Sequence, residues 1–288
     1  MAVSRKSKSY FVLPALLVSI ALCALSSWYA LRGDNDRFAW WGALAAALPL
    51  PLLLARLRLA PRARTAENEP LALLVSAGGA LLAAWEWLVE GSAGWGPPAT
   101  AAAGVALLVV YVFWYSRFAR MPSGKLDVGG TLPEFELESL HGNPVSSREL
   151  LGKPCVVLFY RGNWCAVCRA QVAELAARRA DLDRLGVGVA LVSPQPPEAS
   201  RALAAFHDVP FRFLVDRGAR VARHLGIAAS SGVPFGVRGG YDPDTVMPTV
   251  VVTNAQGRIL YSDQTDNYRV RPEPDIYLAL LRRTGAMA

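Results

Sequence analysis

The stretch Cys155-Val156-Val157-Leu158-Phe159-Tyr160-Arg161-Gly162-Asn163-Trp164-Cys165-Ala166-Val167-Cys168 decides how this chain is read. Its first six residues form a continuous apolar run, the pattern of a central strand covered on both faces. Its last four are a Cys-x-x-Cys, and Val172, Leu175, Ala176, Leu182 and Leu185 follow at spacings that put them near one face of a helix. A strand that enters a helix through two cysteines sets the first thiol among unpaired N–H groups, where the helix dipole favours a thiolate. Cysteines at i and i+3 face the same side of a turn, so dithiol and disulfide interconvert with little backbone movement. The expectation is a solvent-accessible Cys165 as attacking thiolate and Cys168 as resolving thiol, with Arg161 and Arg169 adding positive potential.

Outward from this stretch, residues 127–288 alternate between strand and helix patterns, enough for one α/β domain, with residues 121–126 as a linker. Phe135 to Glu138 and Val145 to Ser147 flank His141-Gly142-Asn143 as a hairpin. Downstream are a helix from Cys165 to Leu185, a buried strand Val187 to Val192, a helix Glu198 to His207 and a short strand Phe211 to Val215. A helix around Val221 to Leu225 comes next. Then Met247-Pro248-Thr249 opens the strand Val250-Val251-Val252, which turns at Asn254-Ala255-Gln256-Gly257 into Arg258 to Tyr261, and Pro274 to Arg283 closes the chain as a helix.

With these residues in place, the segment from about Asp127 to Thr284 resembles a thioredoxin-fold domain of the peroxiredoxin-like AhpC/TSA type (alkyl hydroperoxide reductase/thiol-specific antioxidant). The residues that carry the resemblance are Tyr160 to Cys168, Val192-Ser193-Pro194-Gln195, Met247-Pro248-Thr249 and Asn267-Tyr268-Arg269-Val270-Arg271-Pro272-Glu273-Pro274. The resemblance implies that Trp164 shields the thiol site. It also implies that Pro248 is a cis proline packed against the cysteines, with Met247 lining a substrate groove. Aligning the peroxide-reducing cysteine of peroxiredoxins with Cys168 puts Cys165 at that family's threonine and Arg161 at its proline. The peroxide-polarising arginine that the family carries on the strand beginning at Thr249 has no counterpart, because Val250 to Thr253 contains none.

The first 120 residues read differently. Four uncharged apolar stretches, Tyr10–Leu31, Phe38–Ala55, Pro70–Trp85 and Gly91–Ser116, lie around the length of roughly 20 residues that crosses a bilayer core. They predict a four-helix transmembrane bundle, residues 1–120, with Pro97-Pro98 starting the last helix. The first stretch is too long for a signal peptide core and is read as uncleaved. Lys and Arg fall at the N-terminus (Arg5, Lys6, Lys8), in the second loop (Arg56, Arg58, Arg62, Arg64) and after the last span (Arg117, Arg120, Lys125), against Arg32 and Arg37 in the first loop, offset by Asp34 and Asp36, and none in the third. That distribution predicts a multi-pass cell-membrane protein with both ends, and hence the redox domain, in the cytoplasm.

Composition narrows the function. The formal charge is +7, but residues 1–120 hold 11 basic and 6 acidic side chains against 19 and 17 in the remainder, so nucleic acid is not an expected partner. Cys23 and Cys155 lie in apolar runs and read as small hydrophobes. His141, His207 and His224 are scattered singly, so no metal site and no cofactor are expected. With Cys23 its only cysteine, the bundle offers no second dithiol for a relay across the bilayer.

The sequence thus predicts a membrane-anchored thiol-disulfide oxidoreductase. Its partners are the lipid bilayer, a hydroperoxide or protein disulfide as substrate, and a thioredoxin-like dithiol reductant. Its site residues are Cys165 and Cys168, with Trp164, Arg161, Met247 and Pro248 around the substrate. The competing reading is a redox sensor or scaffold whose disulfide state controls partner binding.

Overall fold

The computed structural model describes residues 2–91, 94–237 and 239–283. The chain forms two compact units. One comprises Tyr10–Ala60 and Thr65–Arg117; the other comprises Met1–Ser9, Pro61–Arg64 and Phe118–Ala288, and so includes the first helix, α1 (Ala2–Ser9).

The first unit is helical: α2 (Val12–Arg32), α3 (Arg37–Ala47), α4 (Pro49–Leu59), α5 (Pro70–Leu88) and α6 (Gly96–Val109), which runs on as a wider π turn over Val110–Tyr115. α3 is central and packs on α2, α5 and α6. Small residues make that packing possible. A Cβ built on Gly79 would lie 2.5 Å from the carbonyl oxygen of Gly42, and one on Gly104 2.8 Å from Ala47 Cα, so only glycine permits these backbones to approach. Ser76 Oγ donates to the Ala46 carbonyl at 2.7 Å, adding a polar tie between α5 and α3.

The stretch Phe38–Ala55, expected as one helix, is two. It breaks at Leu48 into α3 and α4 with a 40° bend, because Pro49 and Pro51 have no N–H to continue the first helix's ladder. Proline acts in the permissive direction elsewhere. Pro70 opens α5 and Pro97-Pro98 lie in the first turn of α6, where the missing N–H costs nothing. Three helices, Val12–Arg32, Pro70–Leu88 and Gly96–Tyr115, are long and apolar enough to cross a membrane; the bent pair adds a fourth if it counts as one span.

The second unit is an α/β domain of the thioredoxin-like kind. Its strands are β1 (Glu136–Ser139), β2 (Pro144–Ser146), β3 (Cys155–Phe159), β4 (Gly188–Ser193), β5 (Arg212–Val215), β6 (Ala228–Ala229), β7 (Thr245–Val246), β8 (Thr249–Thr253) and β9 (Ile259–Asp263). Seven make one sheet in the order β2-β1-β5-β4-β3-β8-β9, while β6 and β7 pair separately. β3 is central, parallel to β4 and antiparallel to β8, and all five of its residues are buried. Helices α7 (Ala166–Ala177), α8 (Arg179–Arg184), α9 (Pro197–His207), α10 (Arg220–His224) and α11 (Pro274–Arg283) complete the domain.

Alternate residues of the central strands, Val157 and Phe159 of β3 with Ala190 and Val192 of β4, share one core with Val221 and Ala222 of α10. α7 and α11 supply further buried side chains, Val172, Leu175, Leu278 and Leu281. The helix expected from Cys165 to Leu185 is interrupted at Arg178, whose backbone leaves the helical region at φ −97° and ψ 13°. No glycine or proline marks that break in the sequence.

Candidate active site

The central strand delivers the cysteines. Tyr160 continues β3 with its N–H on the Val192 carbonyl, then residues 161–164 turn the chain and Cys165 caps α7 from an extended conformation, φ −87° and ψ 107°. Gly162 sits in this turn at φ +139°, with the Trp164 ring 3.0 Å and Gln195 Oε1 3.2 Å from where a Cβ would project. A side chain there meets both backbone strain and collision.

Gln195, at the end of β4, holds the turn in place. Its Oε1 accepts from the Asn163 N–H at 2.8 Å, and its Nε2 donates to Tyr160 Oη and Ser200 Oγ, each at 2.9 Å. Asn163 Nδ2 donates to the Ala199 carbonyl at 2.6 Å, and Thr245 Oγ1 donates to the Arg161 carbonyl at 2.9 Å. The turn before Cys165 is thereby tied to α9 and β7, which rigidifies the nucleophile's approach to the helix.

Both cysteines are reduced and buried, Cys165 at 5% exposure and Cys168 at 0%. This corrects the expectation of a solvent-accessible first thiol. The Arg161 guanidinium closes over the site, stacked 4.4 Å from the Trp164 ring and 5.6 Å from each of the Phe118 and Tyr268 rings, and Nη2 donates to the Gly232 carbonyl.

The two sulfurs divide their roles electrostatically. The Cys168 thiol donates to Cys165 and pulls its pKa down to about 6 against the opposing effect of burial, with Arg161, Arg271 and the Cys168 N–H assisting. Burial, then the bond to Cys165, pushes Cys168 well up. Arg271, rather than Arg169, joins Arg161 as the second cation. Burial lowers the pKa of its own guanidinium, against the negative charge of Cys168, Cys165 and Asp263. Cys155 stands apart in β3, its thiol raised to about 11 chiefly by burial, and stays protonated near neutrality.

Several buried donors around the pair have no acceptor among the described residues. They are Arg161 Nε, Trp164 Nε1 and Arg271 Nε and Nη2. Buried polar atoms without partners are rare in folded proteins, and at a reactive thiol they leave capacity for a small ligand rich in acceptors.

The cis bond expected at Pro248 is not found, while Met247 lines an open cavity with Arg120, Gly226 and Ala228. The register of β3 with β8 pairs Phe159 with Thr249, which brings Pro248 level with the turn into the site. The Met247–Pro248 bond is trans, as no cis peptide occurs among the described residues. Met247 and Pro248 join β7 of the small sheet to β8 of the large one. The Met247 N–H donates to the Ile227 carbonyl at 2.7 Å, and the Met247 carbonyl accepts from Thr249 Oγ1 at 2.9 Å. The Pro248 carbonyl accepts from Arg120 Nη1 at 3.1 Å. With these groups engaged and Met247 only 3% exposed, this backbone is not free to hold a substrate segment.

Sequence reasoning gave Arg271 no role because it lies over 100 residues from Cys165, beyond any local spacing. The available signal was its setting, where Val270 and Pro272 flank it within a segment that the family resemblance had marked.

The AhpC/TSA family model matches residues 128–262. A chloroplastic peroxiredoxin Q from Sedum lineare is 31% identical over 103 residues, 36% of this chain and 55% of that protein. One from Gentiana triflora is 30% identical over 105 residues, 36% of this chain and 48% of that protein. The chain therefore spans about half the length of these curated relatives.

Proposed function

Residues 128–262 form an AhpC/TSA domain, peroxiredoxin-like in family, and on that premise we propose that the protein is a thiol-dependent peroxidase held at a lipid bilayer by its apolar helices. The observation that carries this reading is the Cys165 sulfur at the start of α7, hydrogen-bonded by Cys168 and flanked by two buried arginines. The Cys165 thiolate attacks one oxygen of a hydroperoxide. A sulfur–oxygen bond forms as the O–O bond breaks, and the departing alkoxide or hydroxide takes a proton to leave as alcohol or water. Cys168 then attacks the Cys165 sulfenic acid, forming the disulfide and releasing water. A thioredoxin-like dithiol reduces that disulfide by exchange and is itself oxidised. The unpaired donors of Arg161, Arg271 and Trp164 suit a small substrate with two oxygen acceptors, and they favour charge developing on the leaving oxygen.

Burial favours the smaller of the two substrate classes. A protein disulfide must bring its sulfur and surrounding chain to Cys165, which is 5% exposed. A hydroperoxide needs a passage only a few atoms wide. The deciding assay is hydrogen peroxide consumption by the full chain in detergent with dithiothreitol as reductant, set against insulin reduction. Peroxide turnover with little insulin reduction supports the reading; turnover of insulin alone refutes it.

The bilayer is proposed from the helical unit. Leu71, Leu74 and Leu81 are each more than 70% exposed, whereas glycines and alanines line the closest helix contacts, an arrangement suited to a lipid solvent. The charge bias of the flanks supports a cytoplasmic redox domain as part of the same proposal. A reporter fused after Ala288 that proved extracytoplasmic overturns that orientation.

A further inference from the structure

Pro61–Arg64, a segment that lies in sequence between α4 and α5, groups with the redox unit. Ala63 is fully buried there, and Arg64 commits its donors to the redox unit. Its Nε donates to the Arg271 carbonyl at 3.1 Å and Nη2 to the Pro272 carbonyl at 3.5 Å. Nη1 and Nη2 also form a two-pronged pair with the Glu174 carboxylate, and Nη1 lies 3.5 Å from Glu273 Oε1. Glu174 stands on α7, the helix that the cysteines begin, so one planar guanidinium joins that helix to the main chain carrying Arg271.

The geometry points to Arg64 as a positioning residue for the thiol site: it holds the backbone at Arg271 and Pro272 against α7, and so keeps the Arg271 guanidinium facing Cys165 and Cys168. This rests on the reading of Cys165 as the attacking thiolate and extends it. Arg271 makes one hydrogen bond with its own side chain among the described residues, from Nη1 to the adjacent Val270 carbonyl, and Nε and Nη2 have none. The one bond at its tip returns to the adjacent residue's carbonyl, so the aim of this side chain follows the backbone from which it grows. Arg64 is the side chain that grips that backbone. A lysine cannot replace it, because a single ammonium cannot span two carbonyls and a bidentate carboxylate in the same plane.

The groups facing Cys165 are Cys168, Arg161 and Arg271, and those facing Arg271 are the two cysteines, Asp263 and Arg161. The test is the pH dependence of Cys165 alkylation by iodoacetamide in the full detergent-solubilised chain, read at that residue by mass spectrometry. Arg64→Ala is expected to move the midpoint upward by about half a pH unit or more, and Arg64→Lys by less. In an Arg271→Ala background, Arg64→Ala should add no shift, because the two act through one group. Arg178→Ala removes the 2.6 Å pair with Asp275, which joins α7 to α11 further from the cysteines, and should leave the midpoint in place.

An unchanged midpoint in Arg64→Ala, with Arg271→Ala shifted, overturns the inference. Should Arg64→Ala fail to fold, an unchanged Arg64→Lys midpoint does the same. An ordinary thiol titration of Cys165 in the unmodified protein, with no response to Arg271→Ala, refutes the thiolate reading itself and the role of Arg64 with it.

Discussion

The two units of this chain are packed inside out with respect to each other. In the redox unit, large branched side chains such as Val157, Leu158, Val251 and Val252 are buried at 1% exposure or less, the pattern that water imposes. In the helical unit Gly42, Ala43, Ala46, Gly79, Ala83 and Gly104 line the closest helix contacts and Leu50, Leu108 and Tyr111 are buried as well, while Leu17, Trp28, Leu71 and Leu81 face outward. In the lipid surroundings proposed for these helices, burying a leucine gains little and close backbone contact carries more of the packing. Each unit therefore fails through a different kind of substitution.

The largest effect separates chemistry from scaffold. Cys165→Ser should reduce peroxide turnover to background while leaving both units folded, and Cys168→Ser should allow one turnover that stops at the Cys165 sulfenic acid. Peroxide consumption and mass spectrometry of the trapped product check both. Next, Gly79→Leu places a side chain where the Gly42 carbonyl already lies, and should cost the helical unit about 1–3 kcal/mol or more. The comparison is sharpened if turnover by the redox unit survives that change, and broken if thermal unfolding shows both units lost together.

Val157→Ala is the complementary test. It removes methyl groups from the fully buried central strand, and should lower the stability of the redox unit by about 2 kcal/mol, measured by denaturant unfolding of the full chain. Arg271→Ala should raise the Cys165 midpoint by about one pH unit from its value near 6. The sign follows from losing a cation that favours the thiolate, so alkylation at pH 6 to 7 slows while the rate at pH 9 hardly changes. Smallest of all, Phe206→Ser on the redox surface, where Phe206 is 80% exposed, should fall within about 0.5 kcal/mol of the unmodified protein.

The extent to which the sequence disclosed the fold follows these two kinds of packing. The run Cys155 to Tyr160 announced a central strand because continuous apolarity has few other uses at that length, and the structure places β3 there. The hairpin, the strand after Pro248 and the closing helix from Pro274 were legible from turn residues and periodicity. The break of α7 at Arg178 was not, since it involves neither glycine nor proline. Nor was the split of the second apolar stretch, although Pro49 and Pro51 were visible; hydropathy averages over a helix break that proline chemistry makes.

At the candidate site the sequence identified the cysteines, Trp164 and Arg161, because local spacing alone makes them neighbours. Arg271 lies over 100 residues from Cys165 and Arg64 lies as far on the other side, so no local pattern connects them. Met247 and Pro248 were assigned by analogy to a cis turn, and the trans bond and the hydrogen bonds at the entry into β8 show the outcome instead.

What the sequence determined by itself is the chemistry available: a dithiol at the start of a helix, on an α/β scaffold, in a chain whose other part carries long apolar stretches. These follow from composition and from periodicities of two and 3.6 residues, which are properties of the local chain. Tertiary structure alone decided which charges surround the thiols, that Cys165 is buried, and that Met247 has no free backbone. A pKa depends on through-space distance and on exclusion of water, and neither exists until distant segments have packed together.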